Sequence, residues 1–308
     1  MLFPVAGVFL TNCIIWGLSY LGRLSWTLDL ASIYRPIYFM VFLVCLFGFL
    51  LLKKFIWALA CGVFLLVASF SVTPFLLPHK PSPDPNDHTR RILFHNIKKS
   101  NTDYAGFVGL VKRHDPDIVI VAELTYKCKA YLASHLRGYP YIHTKPKDDF
   151  FGIGIFSKIP FQKSRVHYLQ HRDFPVLEVA CNHEGLNFTV FSTHTSPPIN
   201  KTLYANRNRQ LVNLGKIVSK NNGEKLIIAD LNISMWSSYL KEFLEECNLK
   251  NGRRGHGFKP TYPSQGKMPR VTIDHVLVSE GITIEKITTS DSAGSDHLSV
   301  VCEFTVKQ

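Results

Sequence analysis

Residues 225–232 read Lys-Leu-Ile-Ile-Ala-Asp-Leu-Asn. The apolar run Leu226–Ala229 is too short for a buried helix. It reads as a strand buried on both faces, with Asp230 and Asn232 at its end. Loops at strand ends present side chains to a cleft while the sheet holds them still. A carboxylate and a carboxamide in that position are therefore candidates for chemistry rather than for packing.

The same arrangement recurs to either side. RILFHNI (91–97) ends near Asn96. DIVIVAEL (117–124), launched by Asp115-Pro116, ends near Glu123. LNFTVFSTHT (186–195) ends near His194, VTIDHVLVS (271–279) carries Asp274 inside it, and Asp296 and His297 precede LSVVCEFTV (298–306). FGIGIFS (151–157), VLEVACN (176–182) and ITIEKITTS (282–290) complete the predicted strands. Helical spacing appears at Tyr104, Phe107, Val108 and Val111, then at Leu211, Leu214 and Val218, and again at Leu240, Phe243, Leu244 and Cys247. Strands interspersed with helices predict an α/β domain of sheets packed face to face with helices outside.

Upstream the composition changes. The first 80 residues hold five basic side chains and one acid, Asp29; the remainder holds 30 basic and 22 acidic residues. A basic surplus of that size favours anionic partners such as phosphate esters, nucleic acid or acidic lipid headgroups. Three apolar runs, about 2–22, 37–52 and 55–77, are read as an all-α transmembrane module over 1–78, the second being short for a bilayer. Trp26, Tyr34, Arg23 and Arg35 between the first two runs suit the headgroup zone. Residues 79–89 carry prolines that favour extended backbone and form a linker. Residues 90–308 are the third segment. The seven Cys show no C-x-x-C or zinc spacing and are read as structural.

The ordered set Asn96, Glu123, His194, Asp230-x-Asn232, Asp274-His275 and Ser295-Asp296-His297 resembles the endonuclease/exonuclease/phosphatase superfamily across residues 90–308. NRNRQ (206–210), Trp236-Ser237 and PTYP (260–263) resemble its bacterial membrane-anchored branch with three N-terminal spans. The resemblance implies a four-layer α/β sandwich and a Mg²⁺-dependent phosphoesterase, with Mn²⁺ as a substitute ion. It also implies a bacterial inner-membrane protein with its catalytic domain on the periplasmic side. A count of basic residues near the spans favours the opposite orientation.

The chemistry of the residues agrees with the resemblance. A hard cation held by carboxylates can polarise phosphoryl oxygens, and Glu123 and Asp296 are the expected metal ligands. Asp230 would orient or deprotonate the attacking water. Asn96 and Asn232 would donate to phosphate or fix the ligands. His297 would stand beside the phosphoryl group, oriented by Asp274, and His194 would stabilise charge on the phosphoryl oxygens. Asp274 inside an apolar run requires a partner, whereas His275 on the opposite face is expected to be structural. Lys98, Ala229 and Ser299 depart from the family pattern without removing a catalytic group.

The expected partners are a phosphate-ester substrate and the lipid bilayer, with nucleic acid as a candidate substrate; no protein partner is inferred. The competing readings are a catalytically silent membrane-tethered scaffold that keeps the fold for binding, and a transporter. The scaffold would predict a gap in the acidic or His set, and the transporter would predict acids inside the spans. The sequence has neither.

Overall fold

The structure, a computed structural model, describes residues 2–78, 89–170, 173–183 and 186–307. All of the predicted linker except residue 89 lies outside the described residues.

Three apolar helices come first: α1 (Leu2–Leu18), then the short α2 (Trp26–Ala31) leading through a 3-10 turn into α3 (Arg35–Leu51), then α4 (Phe55–Leu76). Two helical stretches, Trp26–Leu51 and Phe55–Leu76, are long and apolar enough to cross a membrane. The three expected spans are thus corrected to two plus a shorter helix. α1 has 17 residues, about 25 Å at 1.5 Å per residue, against a hydrocarbon core of ~30 Å.

The segment expected to lie in the headgroup zone packs against its own neighbours and the following domain. The Arg35 guanidinium sits 3.7 Å from the Tyr20 ring centroid. Arg23 pairs with Glu242 of the following domain. Gly22 permits this fold, because a Cβ there would stand 2.9 Å from the Asp29 Cα.

Among the described residues, twelve strands and four further helices follow. They are β1 (Arg90–Asn96), α5 (Tyr104–His114), β2 (Ile118–Ala122), α6 (Tyr126–His135), β3 (Tyr141–Lys145), β4 (Ile153–Ser157), β5 (Phe161–Gln170), β6 (Asp173–His183), β7 (Leu186–Thr193), α7 (Lys201–Val218), β8 (Lys225–Asp230), α8 (Ser238–Glu246), β9 (Lys250–Asn251), β10 (Asp274–Val278), β11 (Ile282–Ser290) and β12 (Ser299–Val306). One sheet has the order β11-β12-β1-β2-β4-β3, the other β5-β6-β7-β8-β10-β9. β1 and β2 pair in parallel, as do β7 and β8, so each sheet has a parallel centre with antiparallel flanks.

The layers follow from the strand pattern. Ile92, Phe94, Ile118 and Ile120 of one sheet face Leu177, Val179, Leu226 and Ile228 of the other across the central core. The alternate residues face outward. Leu93, Val119 and Val121 receive Phe107, Leu110 and Val111 of α5 and Leu132 of α6. Phe191, Ile227 and Leu277 receive Leu211, Leu214 and Val218 of α7 and Leu240 and Phe243 of α8. Central strands buried on both faces need apolar residues at every position, which is why they read as continuous runs. The result is the expected four-layer α/β sandwich. All seven Cys are free thiols.

The sandwich rests directly on the apolar helices. Trp236 Nε1 donates to the Ser71 carbonyl at 2.8 Å. The amides of Gly255 and Gly257 donate to Pro74 and Phe75 carbonyls at 3.0 and 2.8 Å. Those two carbonyls lie in the last turn of α4, where no intrahelical donor remains for them.

Candidate active site

Six strand ends meet at one rim of the sandwich. β8 ends at Asp230, directly opposite Asp274 in the antiparallel pairing of β8 with β10. His194 forms a parallel bridge with Asp230 just beyond β7. Asn96 closes β1, Glu123 follows β2, and Asp296-His297 leads into β12. The backbone bends sharply there: Glu123 and Asn232 have φ of 57° and 48°, and Lys98 has 61°. Positive φ in non-glycine residues is sparsely populated and gathers at functional sites.

Asp230 is the hub. It is 1% exposed. Its Oδ2 accepts from Asn96 Nδ2 at 3.1 Å, and its Oδ1 accepts from the Asn232 amide at 3.1 Å. His194 Nε2 and His297 Nε2 lie 3.4 and 3.7 Å from the same Oδ2. Burial raises the proton affinity of this carboxyl and the neighbouring Asp274 adds to it, while the two imidazoles oppose the shift.

His297 Nδ1 meets Asp274 Oδ2 at 2.9 Å. Burial alone would lower the pKa of His297, but the Asp274 carboxylate outweighs it and lifts the imidazole to about 9. Asp274 is held below the usual carboxylate range: its burial would raise it, and the His297 charge and hydrogen bond overcome that. The partner required for a buried Asp274 is therefore His297.

The two asparagines are occupied. Asn96 Nδ2 also donates to Glu123 Oε1 at 3.1 Å. Asn232 Nδ2 donates to the Thr195 carbonyl at 2.9 Å and lies 3.1 Å from His194 Nε2. Both amides hydrogen-bond neighbouring groups of the site. His194 Nδ1 lies 2.7 Å from the Phe150 carbonyl, which only accepts, so that nitrogen carries a proton. His275 Nε2 meets the Ile233 carbonyl at 2.9 Å, away from the cluster.

Glu123 Oε2 accepts from the Lys99 amide at 2.8 Å. Each Glu123 oxygen has thus one hydrogen bond and keeps a lone pair for a hard cation. Asp296 lines the same cavity as Asn96 and Glu123, with Lys98 Nζ 3.5 Å from its Oδ2. Oxygen donors of this kind fit Mg²⁺ or Mn²⁺. Ligand atoms of Asp230, Asp274 and His297 also lie within 4.8 Å of one another. Asp274 already occupies His297 Nδ1 at 2.9 Å, while His297 Nε2 stands 3.7 Å from Asp230 Oδ2.

Several residues went unassigned from the sequence. Arg207 is 1% exposed. Its Nη2 pairs with Asp29 Oδ2 at 3.1 Å and its Nη1 donates to the Asn232 carbonyl at 2.9 Å. The signal was Asp29 itself, the single acid among the first 80 residues. Ser295 Oγ accepts from the His297 amide at 3.0 Å and donates to the Asn96 carbonyl at 2.6 Å. Tyr262 lies against the His297 ring with centroids 4.9 Å apart.

Such a cluster at the rim of paired sheets suits hydrolysis of phosphoester bonds, the activity of the family that the sequence matches. The chain belongs to the Endonuclease/Exonuclease/phosphatase family, whose sequence model matches residues 93–297. A comparison with curated proteins finds no match. Solved structures share the fold at low identity. An endonuclease/exonuclease/phosphatase from Beutenbergia cavernae is 19% identical over 71% of this chain and 72% of its own, with a TM-score of 0.58. TDP2 from D. rerio, complexed with a single strand DNA product, is 16% identical over 71% of this chain and 99% of its own, TM-score 0.59. A Bacteroides thetaiotaomicron mannosyl-6-phosphatase is 17% identical over 70% and 99%, TM-score 0.58.

Proposed function

We propose that this protein is a membrane-anchored, Mg²⁺-dependent phosphoesterase. Residues 1–78 would be the membrane module, 79–89 the linker and 90–308 the hydrolase, on the periplasmic side of a bacterial inner membrane. The observation that carries the reading is the convergence of Asn96, His194, Asn232 and His297 on the single buried carboxylate of Asp230.

In the reaction, a water oxygen bonds to phosphorus as the P–O bond to the leaving alcohol breaks. Asp230 takes one proton from that water, and its raised proton affinity suits a general base. The leaving oxygen gains a proton from solvent. His297, held by Asp274, stabilises the negative charge on the phosphoryl oxygens, and His194 does so from the other side of Asp230. Asn96 and Asn232 keep Asp230, Glu123 and His194 in register. Glu123 and Asp296 would hold the divalent ion, which when bound supplies Lewis-acid polarisation of the phosphoryl group.

The substrate is a phosphodiester or phosphomonoester, drawn from nucleic acid, phospholipid headgroups or small phosphate esters. The names of two structural neighbours, a DNA-product complex and a sugar-phosphate phosphatase, fall in the same bond class. The test is turnover of DNA, RNA, phospholipid and p-nitrophenyl phosphate esters by the detergent-solubilised full chain, with Mg²⁺ and with EDTA. Activity that EDTA abolishes, and that Asp230→Ala and His297→Ala each lower by about 10²-fold or more, is expected. Near-normal rates in both variants would refute the roles.

A further inference from the structure

The active-site cavity, about 440 Å³, has walls from two parts of the chain. Its polar end is the Asp230 cluster. Its other walls are apolar, and two of them, Leu30 and Ile33, come from the first 80 residues rather than from the sandwich. Phe150, Pro198, Ile199 and Val271 are among the others. We infer that the substrate is a lipid phosphoester drawn from the bilayer in which α3 and α4 sit, with its hydrocarbon chain lying along Leu30, Ile33 and Ile199. The inference rests on the phosphoesterase reading and narrows its substrate.

Position supports it first. Leu30 precedes the start of α3 at Arg35 by five residues, about 8 Å of helix. Leu30 and Ile33 lie in the first turns of the apolar stretch Trp26–Leu51; with that stretch across the bilayer, the cavity would stand beside its end, next to the lipid headgroups. The docking of α2 is fixed by the Arg207–Asp29 pair, both partners almost fully buried, so the apolar wall is a built part of the site.

Charge supports it second. Among the residues lining the cavity Arg207 is the one Lys or Arg, and its charge is taken by Asp29. A groove for single-stranded nucleic acid pairs its stacking platforms with a row of cationic side chains along the strand; the residues lining this cavity include the rings of Phe150, Phe151 and Tyr262 but no such row. A small hydrophilic ester would leave those walls wet. Ile199 is 73% exposed at the mouth, and a large aliphatic side chain in that position is stabilised by apolar cover.

The test uses the full chain reconstituted with Mg²⁺ in vesicles of phosphatidylethanolamine, phosphatidylglycerol, cardiolipin and a polyprenyl phosphate. Hydrolysis is followed by ³¹P NMR. Bis(p-nitrophenyl) phosphate and p-nitrophenyl phosphate serve as water-soluble comparators. Hydrolysis of one of the lipids is expected. Leu30→Gln and Ile199→Asp should each reduce the ratio of lipid to soluble-ester kcat/KM at least tenfold. Soluble-ester turnover without lipid turnover, or a ratio unmoved by both substitutions, overturns the inference and leaves the phosphoesterase reading standing. Loss of turnover on every substrate overturns that reading, and this one with it.

Discussion

Arg207 and Asp29 form a buried ion pair, 3.1 Å from Nη2 to Oδ2, across 178 residues of chain. The same guanidinium donates to the Asn232 carbonyl from Nη1 and to Asn208 Oδ1 from Nε, the latter at 2.7 Å. One side chain thus ties the segment before α3 to the loop that follows Asp230. Removing one partner leaves the other charge buried without compensation, which costs about 3–5 kcal/mol, whereas replacing both with apolar residues is often neutral. Asp29→Ala is therefore expected to lower the thermal midpoint of the solubilised protein strongly. The pair Asp29→Leu with Arg207→Met should recover most of that loss. A double variant no more stable than Asp29→Ala alone would show that the ion pair carries no such penalty.

On the proposed roles, Asp274 would act through His297 rather than on substrate. Its Oδ2 holds His297 Nδ1 at 2.9 Å, and its carbonyl accepts from Arg253 Nη2 at 2.6 Å. Asp274→Asn keeps the shape but removes the charge that orients and stabilises an imidazolium. A fall of about 10²- to 10⁴-fold in kcat is expected, with KM changed little. An equal rise in KM with kcat preserved would place Asp274 in substrate binding instead.

The interior of the sandwich was legible in the sequence because doubly buried strands must be apolar throughout. Leu226–Ala229 and Ile118–Ala122 leave no other reading. The edges were not. β5 spans Phe161–Gln170 with Leu169 as its one buried residue, and β3 has Tyr141 and Ile142 exposed. Edge strands lack a second neighbour and carry little apolar signal. α6 was missed for a related reason, since it buries only Cys128 and Leu132.

The site residues at strand ends were legible one by one, and the structure brings Asn96, Glu123, His194, Asp230, Asn232, Asp274 and His297 together. Asp296 lines the same cavity but is partly exposed beside Lys98. What the sequence could not carry was the pairing of Asp29 with Arg207. No local pattern links residues so far apart, and only the loneliness of Asp29 among apolar residues hinted that it needed a partner.

The metal reading gives a prediction with a binding readout. Glu123 has both oxygens anchored, each with a lone pair to spare, so Glu123→Gln should weaken divalent-ion binding at least about tenfold, measured by titration calorimetry with Mn²⁺. Lys98 faces Asp296 across a partly exposed 3.5 Å gap. Such pairs contribute at most about 1 kcal/mol, so Lys98→Ala should tighten Mn²⁺ binding by no more than about fivefold. Unchanged affinity in Glu123→Gln would move the cation away from this carboxylate.

His275 makes acid sensitivity predictable. It is completely buried with Nε2 against the Ile233 carbonyl at 2.9 Å, and burial pushes its pKa down to about 4 despite that hydrogen bond. In the unfolded chain the ordinary value is about 6.5. Between these two values the unfolded state binds a proton that the folded state refuses, so stability falls as pH falls through this window and is fully present above it. At pH 5 the loss from this one group is about 2 kcal/mol relative to pH 7.5. His95, lowered by burial and then by the nearby His297 to about 3, acts in the same direction. His297, raised to about 9, acts oppositely, losing its contribution only as pH climbs through 6.5 to 9. Comparing His275→Gln with the parent isolates the first term. The variant is expected to be less stable at neutral pH, yet to lose less between pH 7.5 and 5 in thermal melts. Identical pH slopes in the two proteins would mean that His275 takes up its proton in the folded state.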